Sequence, residues 1–356
     1  MTVLTDLTPG HVTHDDAPIE HPYAGHLVLG IDAGNTKTIA LIADASGTVL
    51  GWGRAGGSNI YVSKPRALQA IDQAVQTARI RAGLPVFESS ASEPHFASVT
   101  LSACGADWPE DFQLLENLLA ERAWARRWQV VNDAVGALRA GSLEGTGVAV
   151  VCGTSAGVAA RSAEGAVWHS SYWQEPEGAD ELAKLALRAV YRAQLGIDPP
   201  TSLTARVLAH YRQSSVEGLL HTLTRRDRRA PRRLGRLARL LLDEAELGDA
   251  ASLKIVCEHG ESLGDYALAA ARQVNLSGPY TLVTSGGVMR HPSKVLVRAL
   301  MQRVHTVNPD ASWHASQHEP VFGALLLALE LARHPVDAAL LSRLESTCPE
   351  ESVFLT

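Results

Sequence analysis

The same strand–turn–strand pattern occurs twice along this chain. Residues 27–53 (LVLGIDAGNTKTIALIADASGTVLGWG) and residues 147–169 (GVAVVCGTSAGVAARSAEGAVWH) each predict three short strands joined by glycine-containing turns. Two pairs of residues share an offset of 118 positions: Thr36 with Thr154, and Gly47 with Gly165. Because the hairpin length is repeated as well as its residue types, the pattern predicts an α/β chain made of two duplicated domains.

Length and composition agree with two globular domains. The chain has 356 residues, and domains average about 150 residues. Hydrophobic residues make up 46% and charged residues 20%, which excludes disordered, collagen-like and small disulfide-rich classes. The net charge of -6 gives no general attraction to nucleic acid or to an anionic membrane, and no run of 18 apolar residues occurs. We therefore expect neither nucleic acid nor membrane as a partner.

One basic segment and the four cysteines bear on partners and location. The arginine-rich segment 225–239 has no aromatic residues for base stacking, so we interpret it as an exposed helix face. The cysteines are far apart and form no C-x-x-C pair, which favours a reducing, cytoplasmic location. Residues 1–26 lack the basic start and apolar segment of a signal peptide and are predicted to form a flexible leader.

Changes of periodicity predict the domain boundaries. The first domain should follow the order β-β-β-α-β-α-β, with its first helix after Ser63. In the second domain the strand pattern returns at Tyr280, and a helix should start near residues 291–293. The predicted divisions are a leader at 1–26, an N-terminal domain at 27–140, a C-terminal domain at 141–335 with a helical insertion at about 180–275, and a tail at 336–356.

A carboxylate followed by small residues marks the end of the first strand. Asp32 precedes a turn made of Gly34, Asn35, Thr36, Lys37 and Thr38. Such a turn can direct backbone N–H groups and hydroxyls at a phosphate, and Asp32 could hold Mg²⁺ through water. The segment is not a Walker A loop, because G-x-x-x-x-G-K-[ST] is absent. The alternative is an ordinary hairpin with a solvated aspartate.

Two further small-residue loops follow apolar strands. Gly153, Thr154 and Ser155 come directly after VAVVC, and Gly286 and Gly287 follow the strand that ends at Ser285. We predict that the first of these loops holds phosphate and that the two glycines border the nucleoside of a bound nucleotide. The alternative for the glycine pair is a tight strand-to-helix turn.

Five segments in this order carry a family resemblance: GIDAGNTKT, VVNDAVGAL, VVCGTSAG, LVTSGGV and EPVFGALLLAL. From about Leu27 to Ala332 the chain resembles the N-acetylglucosamine kinase and BadF/BadG/BcrA/BcrD ATPase family, within the actin-like ATPase superfamily. The resemblance implies two actin-like (ribonuclease H-like) domains around a nucleotide cleft, use of ATP and Mg²⁺, and a homodimer. The paired cysteines of relatives that hold an iron–sulfur cluster are missing from the sequence.

The resemblance also implies a catalytic base, Asp133. An aspartate at a strand end beside a helix N-terminus can accept the proton of a hydroxyl that attacks the γ-phosphorus. The alternative is that Asp133 only caps the following helix, DAVGALRA.

For the acceptor, the resemblance implies Asn59, the Thr154–Ser155 loop, Glu177 and Gly178. The chain departs from the family pattern here, because Pro176 stands where the family has an aspartate. Nearby acidic residues suggest a cationic acceptor such as an amino sugar, and Trp173 could stack on a sugar ring.

Together these features predict an ATP-dependent kinase that phosphorylates a hydroxyl of a hexosamine-like sugar. The first alternative is a BadF-type ATPase or nucleotide switch that acts on a protein partner and has no small acceptor. The second alternative is an inactive binding module, which the presence of both Asp32 and Asp133 disfavours.

Overall fold

The computed structural model describes residues 12–13, 27–84, 95–173, 178–224 and 234–354. The chain divides into two compact units. The first unit comprises Met1–Gly147, Ala159–Tyr172 and Ser316–Thr356, and the second comprises Val148–Val158 and Trp173–Ala315. Within the described ranges, no helix is long and apolar enough to cross a membrane. Apart from residues 12–13, the predicted leader lies outside the described residues, as does 225–233 of the arginine-rich segment.

The helices and strands alternate as in an α/β protein. The strands are β1 (Val12–Thr13), β2 (Leu27–Ala33), β3 (Lys37–Asp44), β4 (Val49–Gly56), β5 (Phe96–Ala103), β6 (Ala125–Asn132), β7 (Gly147–Cys152), β8 (Ala156–Arg161), β9 (Val167–His169), β10 (Thr281–Ser285) and β11 (Ser312–Ala315). The helices are α1 (Ile60–Arg81), α2 (Pro109–Arg122), α3 (Asp133–Gly141), α4 (Ala179–Gln194), α5 (Leu203–Tyr211), α6 (Val216–Thr224), α7 (Arg236–Glu246), α8 (Ala250–Gln273), α9 (Val295–His305), α10 (Pro320–Leu331) and α11 (Ala338–Thr347). Short 3₁₀ turns lie at Ser171–Trp173 and Glu351–Val353. The predicted order β-β-β-α-β-α-β is confirmed by β2 through β6.

The six-stranded sheet has the order β1-β6-β5-β2-β3-β4. Strands β2, β3 and β4 form antiparallel hairpins, whereas β2, β5 and β6 run parallel to one another. Ala33 pairs with Ala103, and Ala103 pairs with Asn132. The carboxyl ends of the three parallel strands therefore meet at one edge of this sheet, which is where ligands bind in sheets of this kind.

Both faces of this sheet are covered, and that explains why the unit boundary differs from the sequence prediction. Every residue of β2 is buried. Helix α10 packs on the sheet so closely that a side chain at Gly30 would lie 2.4 Å from the Leu325 nitrogen. Leu340, Leu344 and Phe354 join the same apolar cluster. Residues 316–356 thus belong to the first unit, whereas the sequence divided them between the second domain and a tail.

The two hairpin turns repeat one another in detail. Gly47 and Gly165 have φ values of +88° and +90°, a region that glycine enters without steric cost. The Gly47 nitrogen donates to the Asp44 carbonyl at 3.0 Å, and the Gly165 nitrogen donates to the Ser162 carbonyl at 3.1 Å. Asp44 and Ser162 are themselves 118 positions apart, so the sequence repeat corresponds to a repeated turn geometry.

The second sheet has the order β11-β10-β7-β8-β9, with β10 parallel to both β7 and β11. Helices α4 to α8 occupy the segment that was predicted to be a helical insertion. Helix α9 begins at Val295, later than the predicted start at 291–293. Side chains hold the chain in a turn before the helix: the Ser293 nitrogen donates to His291 Nδ1 at 3.1 Å, and the Val295 nitrogen donates to Ser293 Oγ at 3.3 Å.

Candidate functional site

Carboxylates gather at the edge of the first sheet where the parallel strands end. Asp32 belongs to β2 and is 6% exposed. Burial raises its pKa to about 7, and the negative charge of Asp133 raises it further than the Lys37 ammonium lowers it. A buried carboxylate that is not fully compensated can be stabilised by a cation.

Asp133 is the first residue of α3, directly after β6. Its side chain is partly exposed, and burial of the carboxylate raises its pKa to about 6 although the backbone N–H groups of residues 133 and 134 oppose this. The residue that caps α3 is Asn132, whose side chain accepts from the Ala134 nitrogen at 3.1 Å. The N-cap of α3 is therefore Asn132 and not Asp133, although the Asp133 carboxylate still accepts hydrogen bonds from the backbone N–H groups of residues 133 and 134.

Asp107, in the loop after β5, was not identified from the sequence. Burial raises its pKa to about 7, assisted by the charges of Asp133 and Asp111. The signal that could have identified it is its position near the carboxyl end of a buried parallel strand, as for Asp32 and Asp133. Cys104 in the same loop is half-buried. The pKa of its thiol is raised by burial and by the charges of all three aspartates, so each of them lies within electrostatic reach of this cysteine.

The predicted phosphate loop of the first unit presents only some of its side chains. Asn35 and Thr36 are exposed, and Gly34 closes the turn by donating to the Lys37 carbonyl at 2.9 Å. Thr38 is buried, with its hydroxyl 2.7 Å from the Gly56 carbonyl. The Lys37 ammonium lies 2.9 Å from Glu319 Oε2 and also donates to the Phe354 carbonyl. Lys37 and Thr38 therefore hold the loop in place, while Asn35 and Thr36 face solvent.

Asn59, the predicted acceptor residue, lies beside this loop. Its side-chain oxygen accepts from the Tyr61 nitrogen at 2.8 Å, so Asn59 caps α1. Its amide nitrogen donates to Asn35 Oδ1 at 3.3 Å. The structure thus places Asn59 next to the exposed part of the loop.

Within the second unit, three predicted segments come together. Thr154 and Ser155 are exposed. The Ala179 nitrogen donates to the Gly153 carbonyl at 2.8 Å, and a side chain at Gly178 would lie 2.5 Å from the Ser155 carbonyl oxygen. Gly286 follows β10, where the Val288 nitrogen donates to the Cys152 carbonyl at 3.0 Å. Glu177, together with residues 174–176, lies outside the described residues.

An aromatic pair lies next to Asp107 and was also missed. Trp108 is 48% exposed, and its ring stacks on that of Tyr172 with centroids 4.8 Å apart. Tyr61 donates to Asp111 Oδ2 at 2.5 Å, and Asp111 Oδ2 also accepts from the Trp108 nitrogen at 2.9 Å. Trp173, the aromatic residue that the sequence analysis proposed for stacking, is 59% exposed.

The family model for BadF/BadG/BcrA/BcrD ATPases matches residues 29–328. The chain belongs to this family. An N-acetyl-D-glucosamine kinase from Dictyostelium discoideum is 25% identical over 313 residues, which cover 85% of this chain and 98% of that protein. An N-acetylmuramic acid/N-acetylglucosamine kinase from Clostridium acetobutylicum is 24% identical over 309 residues, covering 85% and 97%.

Solved structures show the same fold for this BadF-family chain. A candidate N-acetylglucosamine kinase from Chromobacterium violaceum superimposes with a TM-score of 0.63 at 22% identity, covering 86% of this chain and 100% of that one. A ROK family glucokinase from Streptomyces griseus, solved with glucose and AMPPNP, gives a TM-score of 0.52 at 18% identity, covering 85% and 99%. The likeness to these structures confirms the expected α/β fold.

The residues of the first unit fit a magnesium ion held partly by other ligands. In the described ranges, no group of three or more His, Cys, Asp or Glu side chains is arranged to hold a metal by itself. Mg²⁺ usually takes only one or two carboxylates, with water and substrate phosphates as its other ligands. The buried, undercompensated carboxylate of Asp32 meets that requirement.

Gly286 and Gly287, the two glycines of this BadF-family chain that are predicted to contact adenosine, can be tested with a matched pair of substitutions. Gly286 has a φ of +99°, and a side chain there would lie 2.4 Å from the Cys152 carbonyl oxygen. A Cβ atom added at Gly287 would have no other atom within 4 Å. We expect Gly286→Ala to lower the free energy of unfolding by ~1–3 kcal/mol, because the backbone becomes strained. Gly287→Ala should leave it nearly unchanged in urea unfolding.

The same pair separates folding from nucleotide binding. If Gly287 gives a nucleotide close access to the backbone, Gly287→Ala raises the KM for ATP without a change in urea midpoint. A normal KM for ATP in Gly287→Ala would remove Gly287 from the nucleotide site.

Proposed function

We propose that this chain is an ATP-dependent kinase that transfers the γ-phosphate of ATP to a hydroxyl of an amino sugar, N-acetylglucosamine-like or glucosamine-like. The observation that carries the proposal is the position of Asp133. This residue is partly exposed at the N-terminus of α3, and its charge raises the pKa of both Asp32 and Asp107. The names of the two relatives at about 25% identity support a sugar as acceptor.

Asp133 is the proposed general base. The acceptor oxygen forms a bond to the γ-phosphorus while the bond from that phosphorus to the bridging oxygen of ADP breaks. The hydroxyl proton passes to the Asp133 carboxylate, and ADP leaves with the electron pair of the broken bond. A pKa raised to about 6 leaves the carboxylate ionised at neutral pH yet more basic than an ordinary aspartate.

Asp32 is the proposed magnesium ligand. When bound, Mg²⁺ neutralises charge on the phosphates during transfer. In the first unit, Gly34, Asn35 and Thr36 are the proposed phosphate contacts, because Lys37 and Thr38 are engaged within the protein. In the second unit, Gly153, Thr154 and Ser155 are proposed for phosphate, and Gly286 and Gly287 for adenosine.

The charge of the first unit supports an amino group on the acceptor. Asp107 lies within electrostatic reach of both Asp111 and Asp133, and the Lys37 ammonium is already paired with Glu319. The exposed Trp108 ring offers an apolar face of the kind that stacks on sugar C–H groups. Asn59, Glu177 and Gly178 remain predicted acceptor contacts.

The test is ADP release from ATP and Mg²⁺ in the presence of single acceptors. The panel contains glucosamine, N-acetylglucosamine, N-acetylmuramic acid, glucose and an aminocyclitol. We expect one amino sugar to raise the rate at least tenfold over the acceptor-free rate, with the sugar phosphate found by mass spectrometry. Equal rates with and without every acceptor would instead favour the ATPase or switch that acts on a protein partner, an alternative suggested by Pro176 in the acceptor motif.

We also propose a homodimer, as the family resemblance implies. Sedimentation equilibrium of the full chain should give twice the mass of one chain. A single-chain mass across the concentration range would reject the dimer without affecting the proposed reaction.

A further inference from the structure

One buried amide joins three segments of the first unit. Asn132 is 1% exposed. Its Oδ1 atom accepts from the Ala134 nitrogen at 3.1 Å. Its Nδ2 atom lies 2.8 Å from Ser171 Oγ, 3.1 Å from the Ala106 carbonyl oxygen and 3.3 Å from Asp107 Oδ1. The amide therefore fastens the β6–α3 junction to the loop after β5 and to the turn at 171–173.

The bonds continue beyond the amide. The Ser171 hydroxyl accepts from Asn132 and donates to the Asp107 carboxylate, which closes a ring of three side chains. Ser171 is followed by Tyr172, and Asp107 by Trp108, and those two rings stack on each other. The residue next to the proposed base is thus linked to the exposed aromatic pair.

Helix capping alone does not account for these contacts. Serine, aspartate and asparagine cap helices about equally well, because each supplies an oxygen that accepts from a backbone N–H. Only the asparagine amide, among these three, adds N–H donors beside that oxygen. At this position the two N–H donors are shared among three acceptors, on Ser171, Ala106 and Asp107, so the amide has a role that the other capping residues would not fill.

We infer that Asn132 is a positioning residue for phosphoryl transfer: it holds Asp133 in a fixed relation to Asp107 and to the 171–172 segment. The inference rests on the proposed function, in which Asp133 is the base. A reacting group that moves by about 1 Å can lose a factor of about 100 in rate, so a network that fixes the neighbouring residue affects the chemical step.

The test uses variants that keep the cap but remove the amide donors. For Asn132→Ser we expect kcat for the best acceptor to fall about 10- to 100-fold, with the KM for ATP within twofold of wild type. Asn132→Asp also keeps the cap, and it places a carboxylate against Asp107 and the Ala106 carbonyl. We expect an equal or larger loss of kcat from it, and it remains informative if Asn132→Ser folds poorly.

Asn308→Ser in the second unit is the matched control. Asn308 Oδ1 accepts from the Asp310 nitrogen at 3.1 Å, and Nδ2 donates to the Gly278 carbonyl at 2.8 Å. The same chemical change there should leave kcat within twofold of wild type. This control measures how much kcat changes when an asparagine that stabilises a turn is lost far along the chain from Asp133.

The outcomes separate this inference from the proposed function. If Asn132→Ser and Asn132→Asp both fold and keep wild-type kcat while Asp133→Ala loses acceptor-dependent turnover, Asn132 is only a cap and the inference is overturned. If Asp133→Ala itself keeps acceptor-dependent turnover, the proposed base is what fails. A reduced kcat in both Asn132 variants with a normal control supports the positioning role.

Discussion

Asp133→Asn should reduce acceptor-dependent kcat by about 10²- to 10⁴-fold, because an amide cannot take the proton of the attacking hydroxyl. In the wild-type protein, burial raises the Asp133 pKa to about 6. The ionised carboxylate is the active form, so kcat should fall as the pH drops below about 6 and should level off above it. Steady-state rates of ADP release from pH 5 to pH 9 measure both effects.

Asparagine preserves the shape of the side chain, and α3 remains capped by Asn132. Asp133→Asn should therefore unfold at the wild-type temperature or above it. Asp310→Asn, at an exposed position in the second unit, is the control for loss of one carboxylate and should keep its full rate. An Asp133→Asn protein that retains a third or more of the wild-type kcat would rule out Asp133 as the base.

The sequence was sufficient to predict how the carboxylates are placed along their strands. Asp32 and Asp133 each follow buried strand residues, and the ends of parallel strands converge. The repeated hairpin was equally visible, because its glycines are required by the turn itself. Local chemistry and local geometry determine both features, so one sequence carries enough information about them.

Features set by tertiary packing could not be predicted in the same way. The segment EPVFGALLLALELA predicts a buried helix but does not indicate which sheet it covers. That choice depends on Gly30, which lets the backbone of α10 approach β2 closely. The ion pair between Lys37 and Glu319 spans 282 positions and depends on the same packing. The sequence alone therefore predicted that Lys37 contacts phosphate, because its pairing with Glu319 is not visible in the motif.

The cap of α3 shows a different limit. Asn132 and Asp133 are both good capping residues, so local propensity cannot decide between them. The choice follows from where β6 ends, since the last residue of the strand retains extended backbone and becomes the cap. Asp107 was missed for a related reason: it matches no motif, and only the position of its loop brings it near Asp133.

Asp32→Asn should abolish magnesium-dependent turnover and at the same time stabilise the fold. The unfolded chain has an ordinary aspartate pKa of 3.8 here, whereas burial raises that of Asp32 to about 7 in the folded protein. The folded state holds its proton more tightly, so wild-type stability declines as the pH rises from about 4 to about 7. Asparagine does not titrate, and the variant should gain ~1–3 kcal/mol over wild type at pH 8, with no gain near pH 4.

Asp44→Asn is a control of opposite sign. Burial tends to raise the pKa of Asp44, but hydrogen bonds from Ser46 and Thr48 outweigh it and lower the pKa. The stabilisation from Asp44 is present above the unfolded pKa and is lost on acidification. Asp44→Asn should therefore be less stable than wild type at pH 8 and similar to it at low pH. Urea unfolding of both variants at the two pH values measures the contrast.

Lost activity together with gained stability would indicate that the Asp32 charge destabilises the fold but is needed to bind a ligand. If Asp32 holds Mg²⁺, added MgCl₂ should raise the melting temperature of the wild-type protein at pH 8 and leave that of Asp32→Asn unchanged. Magnesium binding would then offset the same cost of a buried charge that the substitution removes. An Asp32→Asn protein that is less stable than wild type at pH 8 would mean that the carboxylate is already compensated within the fold, and the magnesium assignment would lose its electrostatic basis.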